Sequence, residues 1–160
     1  MTLAAIVLAA GSATRFGTDK LCAPLRGEPL VRHAIRAARA APVARVIVVC
    51  APDFAAGDWP GDWPGGPDVI AVPLRSTALS ASLRAGIAAA GAVDGAFIFL
   101  GDMPLVPPDV AARLAPLLAD CFAAIPRHGG AWGHPVLLSA RAFPAVAALT
   151  GDQGAGQLLR

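Results

Sequence analysis

The chain lacks any long unbroken hydrophobic run. A bilayer-spanning helix needs about 18–20 apolar residues in succession, and the nearest stretch, 85–100, is shorter and carries Asp94. No basic region precedes the first apolar segment, which Ser12 and Arg15 interrupt, so no secretory leader is read there. Cysteine is scarce: Cys22, Cys50 and Cys121 are far apart and odd in number. That excludes a disulfide framework and a zinc pattern, and makes a soluble protein of the reducing cytoplasm the expectation. An excess of one charge is also missing. Thirteen Lys and Arg stand against eleven Asp and Glu, and the arginines are scattered without aromatic residues between them. Neither nucleic acid nor a membrane is an expected partner.

Two familiar phosphate-binding signatures are absent as well. Walker A needs Gly and Lys adjacent and followed by Ser or Thr, whereas Thr18 and Asp19 separate Gly17 from Lys20. The G-x-G-x-x-G pattern fails because Ser12 and Ala13 follow Gly11. What stands in their place is the stretch 8–20, behind an apolar run over 3–7. Small residues and Gly11 let backbone N–H groups approach an anion, and Arg15 and Lys20 add two cations within one short loop. The combination suits a triphosphate. The plain alternative is a tight strand-to-helix loop with two solvated basic residues.

At 160 residues, 56% of them hydrophobic, the chain can build one full core but not two ordinary domains. Fifteen prolines and seventeen glycines are spread along it and read as punctuation between elements. Buried strands are predicted over 4–8, 46–50, 68–72, 96–100, 121–125 and 135–138. A helix is predicted from residue 30, where Leu30, Val31, Ala34, Ile35 and Ala38 form one stripe opposite Arg32, Arg36 and Arg39. Others are predicted over 80–90 (capped by Ser76, Thr77 or Ser80), from 107 to about 118, and over 141–149 and 154–159. Alternating strands and helices imply an α/β fold, a doubly wound, mainly parallel sheet in three layers. Ligands of such sheets sit beyond the carboxyl ends of strands, where the Gly11 loop and the Gly101-Asp102 turn both fall. The tandem repeat Asp58-Trp-Pro-Gly-Asp-Trp-Pro-Gly65 reads as a connecting loop with partly packed tryptophans.

Asp102 stands alone between Gly101 and Met103 behind an apolar strand. A carboxylate there can hold Mg²⁺ against a triphosphate, and capping the turn into Pro104 is its competing role. Ser80 and Ser82 lie at a helix start, where capping competes with ligand binding. His134, between Gly133 and Pro135, is in a constrained setting that displays its ring to a ligand or to a turn hydrogen bond. His33 and His128 have no such setting and are expected at the surface. Arg84 reads equally as a phosphate ligand and as a solvated helix residue.

Four segments taken in order, 8–20, Ser80-Ala-Ser-Leu-Arg-Ala-Gly86, Gly101-Asp-Met-Pro104 and Gly133-His-Pro-Val-Leu137 with Gly151-Asp-Gln-Gly-Ala155 downstream, carry a resemblance. They resemble the MobA-like molybdopterin nucleotidyltransferases, in particular the branch similar to CTP:molybdopterin cytidylyltransferase. The family pattern L-A-[AG]-G-x-S-x-R-[MF]-G-x-x-K is matched by Leu8, Ala9, Ala10, Gly11, Arg15, Phe16, Gly17 and Lys20. The resemblance implies a Rossmann-like nucleotidyltransferase fold, and transfer of CMP from CTP to molybdopterin with release of pyrophosphate. It implies that Leu8, Ala9, Ala10, Gly11 and Ser12 wrap the nucleotide while Arg15 and Lys20 neutralise its phosphates. Asp102 would hold Mg²⁺, Ser80 and Ser82 would lie near the base or ribose, and His134, Pro135 and Asp152 would face the acceptor. A phosphate nucleophile is already ionised at neutral pH, so binding rather than base catalysis is expected of His134.

Leu-Ala-Ala-Gly is the wording of the CTP users, and the Ala10 methyl would narrow the space for a purine. Transfer from GTP, transfer to a sugar phosphate, and a non-catalytic protein delivering the cofactor to a molybdoenzyme or its chaperone are the alternatives. Where relatives follow Gly-Asp-x-Gly-Ala with Arg, this chain has Gly156, leaving Arg127 or Arg160 to face the acceptor. A single domain over 1–160 is expected, without the D-[IV]-[DN]-T-P segment that supplies the family's second metal contact. Asp152 is its nearest replacement by position.

Overall fold

In the computed structural model, which describes residues 1–10, 20–55 and 63–159, the first apolar run becomes strand β1 (Leu3–Ala9), buried along its whole length. A small hairpin, β2 (Pro24–Leu25) with β3 (Glu28–Pro29), leads into helix α1 (Leu30–Ala40). Then come β4 (Arg45–Cys50), the short α2 (Pro52–Ala55), β5 (Asp68–Pro73), α3 (Leu79–Ala90) and β6 (Gly95–Leu100). Helix α4 (Val110–Leu114) runs on into a 3₁₀ turn (Ala115–Ala119), followed by β7 (Ala123–Ala124), β8 (Arg127–His128) and β9 (Ala131–Trp132). Last are β10 (Val136–Ser139), α5 (Phe143–Ala147) and a 3₁₀ turn (Ala155–Leu159).

The main sheet has the order β5-β4-β1-β6-β10-β7. Its first four strands are parallel, and β10 runs antiparallel to both β6 and β7. Alternation along β1 divides the core in two. Leu3, Ala5, Val7 and Ala9 pack with Val31 and Ile35 of α1 and Leu114 of α4. Ala4, Ile6, Leu8 and Ala10 pack with Leu83 of α3 and Val146 of α5. A strand covered on both faces has no polar side to display, which is why the sequence reads as a continuous apolar run. Three layers result. Among the described residues no helix is long and apolar enough to cross a membrane.

Some expectations need correction. The strand expected over 121–125 is reduced to β7, because it meets only the edge of β10 and Pro126 has no N–H to extend the ladder. The helix expected over 141–149 divides into a 3₁₀ turn (Ala140–Ala142) and α5. The arginine face of α1 is not simply solvated. The guanidinium carbons of Arg32, Arg39 and Arg36 lie 4.4, 5.3 and 5.8 Å from the centre of the Trp63 ring, a cation–π arrangement. Arg39 also donates to the carbonyls of Pro67 (3.1 Å), Trp63 and Gly65, and so pins this end of the repeat loop to α1. Trp63 is partly packed, as expected; Trp59 lies outside the described residues.

Candidate functional site

The carboxyl ends of β1 and β6 lie side by side. Leu8 is in register with Leu100, and the Gly101 amide donates to the Leu8 carbonyl across 3.0 Å. Glycine suits this close approach: a Cβ at Gly101 would stand 3.2 Å from the Leu8 oxygen and 3.3 Å from the Ala9 Cβ, tighter than ordinary contact. Asp102 follows at once and is exposed, so the strand end delivers a carboxylate to the rim of the sheet. Leu8, Ala9 and Ala10 are only 9%, 5% and 5% exposed. What these three offer a ligand is therefore backbone. Gly11, Ser12 and Arg15 lie outside the described residues, as does the side chain of Lys20, whose backbone opens the 3₁₀ turn Lys20–Cys22.

Asp102 and His134 line one cleft of about 980 Å³, walled by the segment after β6, by α4 and by the β8–β9 hairpin. Burial weakens the hold of His134 on a proton and takes its pKa below the ordinary 6.5, while the Asp102 charge pulls it back up. The two side chains are thus electrostatic neighbours, and at neutral pH the ring is uncharged with one N–H to donate. Pro135, joined to His134 by a cis peptide bond, is buried behind it.

Ser80 and Ser82 are each 1% exposed, in the first turns of α3. Neither caps the helix. The N-cap is Ala78, with no side-chain hydrogen bond, and Ser76 instead accepts the Ala78 amide at 3.2 Å. Ser80 donates its hydroxyl to the Gly151 carbonyl at 2.7 Å, and its amide donates to the same oxygen at 3.1 Å. That double bond to one carbonyl ties the segment bearing Asp152 to the start of α3. Asp152 is exposed there and is not among the residues lining the Asp102–His134 cleft. The Ser82 hydroxyl is buried with no hydrogen-bond partner among the described residues. Such an orphan costs about 1–3 kcal/mol, a cost that a ligand group reaching it would remove.

Other polar groups prove structural. Arg84 donates to the Leu149 carbonyl at 2.6 Å, a brace between α3 and the segment behind α5. His33 is half-buried and bonded to the Leu25 carbonyl (2.6 Å), holding the β2–β3 hairpin to α1. His128 is exposed but belongs to the cleft wall, together with Arg127. Its role there was legible only through Gly129-Gly130, whose φ values of +57° and +82° make the two-residue turn between β8 and β9.

A family model described as the MobA-like NTP transferase domain matches residues 5–160. The chain belongs to this family. As a MobA-like protein it is a nucleotidyltransferase, and its mostly parallel sheet is the Rossmann-like arrangement of that class. It is 30% identical to the purine catabolism protein PucB of Bacillus subtilis, over 99% of this chain and 80% of PucB. It is 35% identical to the 2-C-methyl-D-erythritol 4-phosphate cytidylyltransferase of Cereibacter sphaeroides, over 79% of this chain and 58% of that one. A probable molybdenum cofactor guanylyltransferase of Pyrococcus furiosus is 32% identical over 81% of this chain and 63% of its own length. The crystal structure of Rv0371c from Mycobacterium tuberculosis superposes with a TM-score of 0.83 at 28% identity, covering 100% of this chain and 83% of that one. Rv0371c has also been crystallised in complex with manganese.

Proposed function

We propose that this MobA-like nucleotidyltransferase transfers CMP from CTP to molybdopterin, with residues 1–160 acting as one catalytic domain. The observation that supports it best is the cleft shared by Asp102 and His134 beside the end of β1, where the phosphate loop begins. In the reaction an oxygen of the acceptor phosphate bonds to the α-phosphorus as the bond to the bridging oxygen breaks. Pyrophosphate leaves with those electrons. Anions are brought together in that step, so catalysis consists largely of positioning and charge neutralisation.

Arg15 and Lys20 neutralise the triphosphate, and the backbone from Leu8 to Ser12 cradles it. The orphaned Ser82 hydroxyl takes a hydrogen bond from, or gives one to, the nucleoside. Ser80 holds the neighbouring segment in place through Gly151. His134, neutral and half-buried, orients the acceptor with Pro135 behind it. Asp152 is assigned to the acceptor side on the resemblance alone. The product would pass to a molybdoenzyme or its chaperone.

Among the described residues, no group of three or more His, Cys, Asp or Glu forms a ready-made metal cage. Mg²⁺ needs none: it binds through one or two carboxylates and keeps its other positions for water and substrate phosphates. An exposed carboxylate at the sheet rim fits that donor set, so Asp102 would hold the ion. When bound, Mg²⁺ supplies positive charge to the departing pyrophosphate.

The wording Leu8-Ala9-Ala10-Gly11, which resembles that of the CTP users, is what favours CTP. Pyrophosphate release from CTP, GTP and ATP, with molybdopterin or a sugar phosphate as acceptor, tests the proposal. CTP with molybdopterin is expected to be turned over fastest. A preference for GTP overturns the base assignment, and turnover with the sugar phosphate overturns the acceptor.

A further inference from the structure

Strand β5 closes one end of the main sheet and pairs, among the described residues, only with β4. The ladder fixes its inner side. Cys50 is in register with Pro73, and the Leu74 amide donates to the Cys50 carbonyl at 2.8 Å. Backbone groups of a strand point alternately to its two sides, so Asp68, Ile70, Val72 and Leu74 spend theirs on β4. Pro67, Val69, Ala71 and Pro73 therefore turn theirs outward. The two prolines have no N–H, and the Pro67 carbonyl already accepts from Arg39 at 3.1 Å. What the edge offers is the N–H and C=O of Val69 and Ala71, bounded by a proline on either side.

The prolines stop the edge at both ends, but its middle is open: no Lys, Pro or bulge stands between them. Ile70, on the face it shares with Val72, is a large apolar side chain left 43% exposed. Asp68 is the one charged residue of the strand, and it is exposed. Arg45, in register with it on β4, donates instead to the Ala90 carbonyl (3.4 Å). Arg75 stands exposed just past the other end and makes no ion pair with a described residue. The edge thus has an acid at one end and a base beyond the other, a polarity that an antiparallel copy of itself complements.

We propose that β5 is a self-pairing edge, through which two copies of this chain join antiparallel about a two-fold axis at Ile70. In that register Val69 of one copy and Ala71 of the other form a hydrogen-bonded pair and exchange both bonds, and the axis repeats the arrangement. Pro67 falls opposite Pro73, where neither has an N–H to leave unmet. The two Ile70 side chains meet in the close, non-hydrogen-bonded position and cover each other. Asp68 lies opposite Val72 of the copy, on the side where the copy's Arg75 follows, and the two Asp68 carboxylates stand at opposite ends. An unrelated extended peptide would satisfy the amides; the chain's own edge also answers the proline spacing, Ile70 and both charges. Pairing along so short an edge covers less than a standard interface, so the dimer is weak and depends on concentration.

The test is sedimentation of the full chain from about 1 µM to about 1 mM, a range that brackets a weak interface, together with amide hydrogen exchange. A species of twice the chain mass is expected to grow with concentration, and exchange at Val69 and Ala71 to slow alongside it. The Ile70 and Val72 amides, bonded to β4, should be protected throughout. Ile70→Lys sets two like charges at the axis and should raise the dimer Kd about tenfold. Asp68→Arg and Arg75→Asp should each weaken the dimer, and the double variant should restore it. A chain that stays monomeric, a dimer that both Ile70→Lys and the charge reversals leave unchanged, or dimerisation without slowing at Val69 and Ala71 overturns the proposal. If the chain stays monomeric while an unrelated valine- and threonine-rich peptide slows those two amides, the edge belongs to a different partner.

Discussion

His134 shows how far one residue's surroundings set its chemistry. Its imidazole is pushed towards the neutral form by burial and pulled the other way by the Asp102 charge. Removing that charge in Asp102→Asn is expected to lower the titration midpoint further, read from the ring Cε1 proton in NMR. A midpoint that rises or stays put would separate the two side chains. The same shift carries a stability consequence. The folded state holds this proton more weakly than the unfolded chain does, so the unfolded state gains protons first on acidification. The contribution is whole above pH 6.5 and is lost as pH falls from there to the folded pKa. Cys50 is the contrasting case: burial alone pushes its thiol up to about 11, and the residue behaves as core.

Helix α3 is the element on which core and candidate site meet. Its outer turns carry Ser80 and Ser82, and its middle rests on β1 so closely that a Cβ on Gly86 would stand 2.5 Å from the Ile6 Cγ2. Alanine normally gains about 1 kcal/mol over glycine in a helix interior. Here Ile6 is fully buried and cannot withdraw, so overpacking, about 1–3 kcal/mol, opposes the gain. Gly86→Ala is expected to lower Tm by a few degrees, about 2–4 °C per kcal/mol for a chain of this size, in a calorimetric scan. A rise in Tm would mean that α3 sits further from the sheet. The β8–β9 hairpin is the other telling element. Its Gly-Gly turn is a plain sequence signal, but two strands of two residues each are too short to show the alternation that marks longer ones.

Across the whole molecule, ligand binding should report on the phosphate loop directly. At about a hundred times Kd, CTP with Mg²⁺ stabilises the folded state by about 2.7 kcal/mol, a rise of roughly 5–10 °C in Tm. Lys20→Ala should abolish most of that rise, and a variant that keeps the full shift would remove Lys20 from triphosphate binding. The fold itself was legible because β1, β4 and β6 are buried on both faces and α1 keeps its apolar stripe, so periodicity and composition already state their surroundings. Asp102 and His134 were legible as individuals, each marked by constrained neighbours at a strand end. That they share a cleft was not, because β6 and β10 become neighbours only through antiparallel pairing across a long separation in sequence. Nor did the sequence tell that Ser82 is an orphan, that Arg84 is a brace, or that three arginines gather on Trp63. By itself, then, the sequence determined the elements, the order of its motifs and the family, since these depend on local pattern along the chain. The tertiary structure alone decided which polar groups are satisfied and which stand ready for a ligand, because hydrogen-bond partners and charge neighbours are supplied from distant segments.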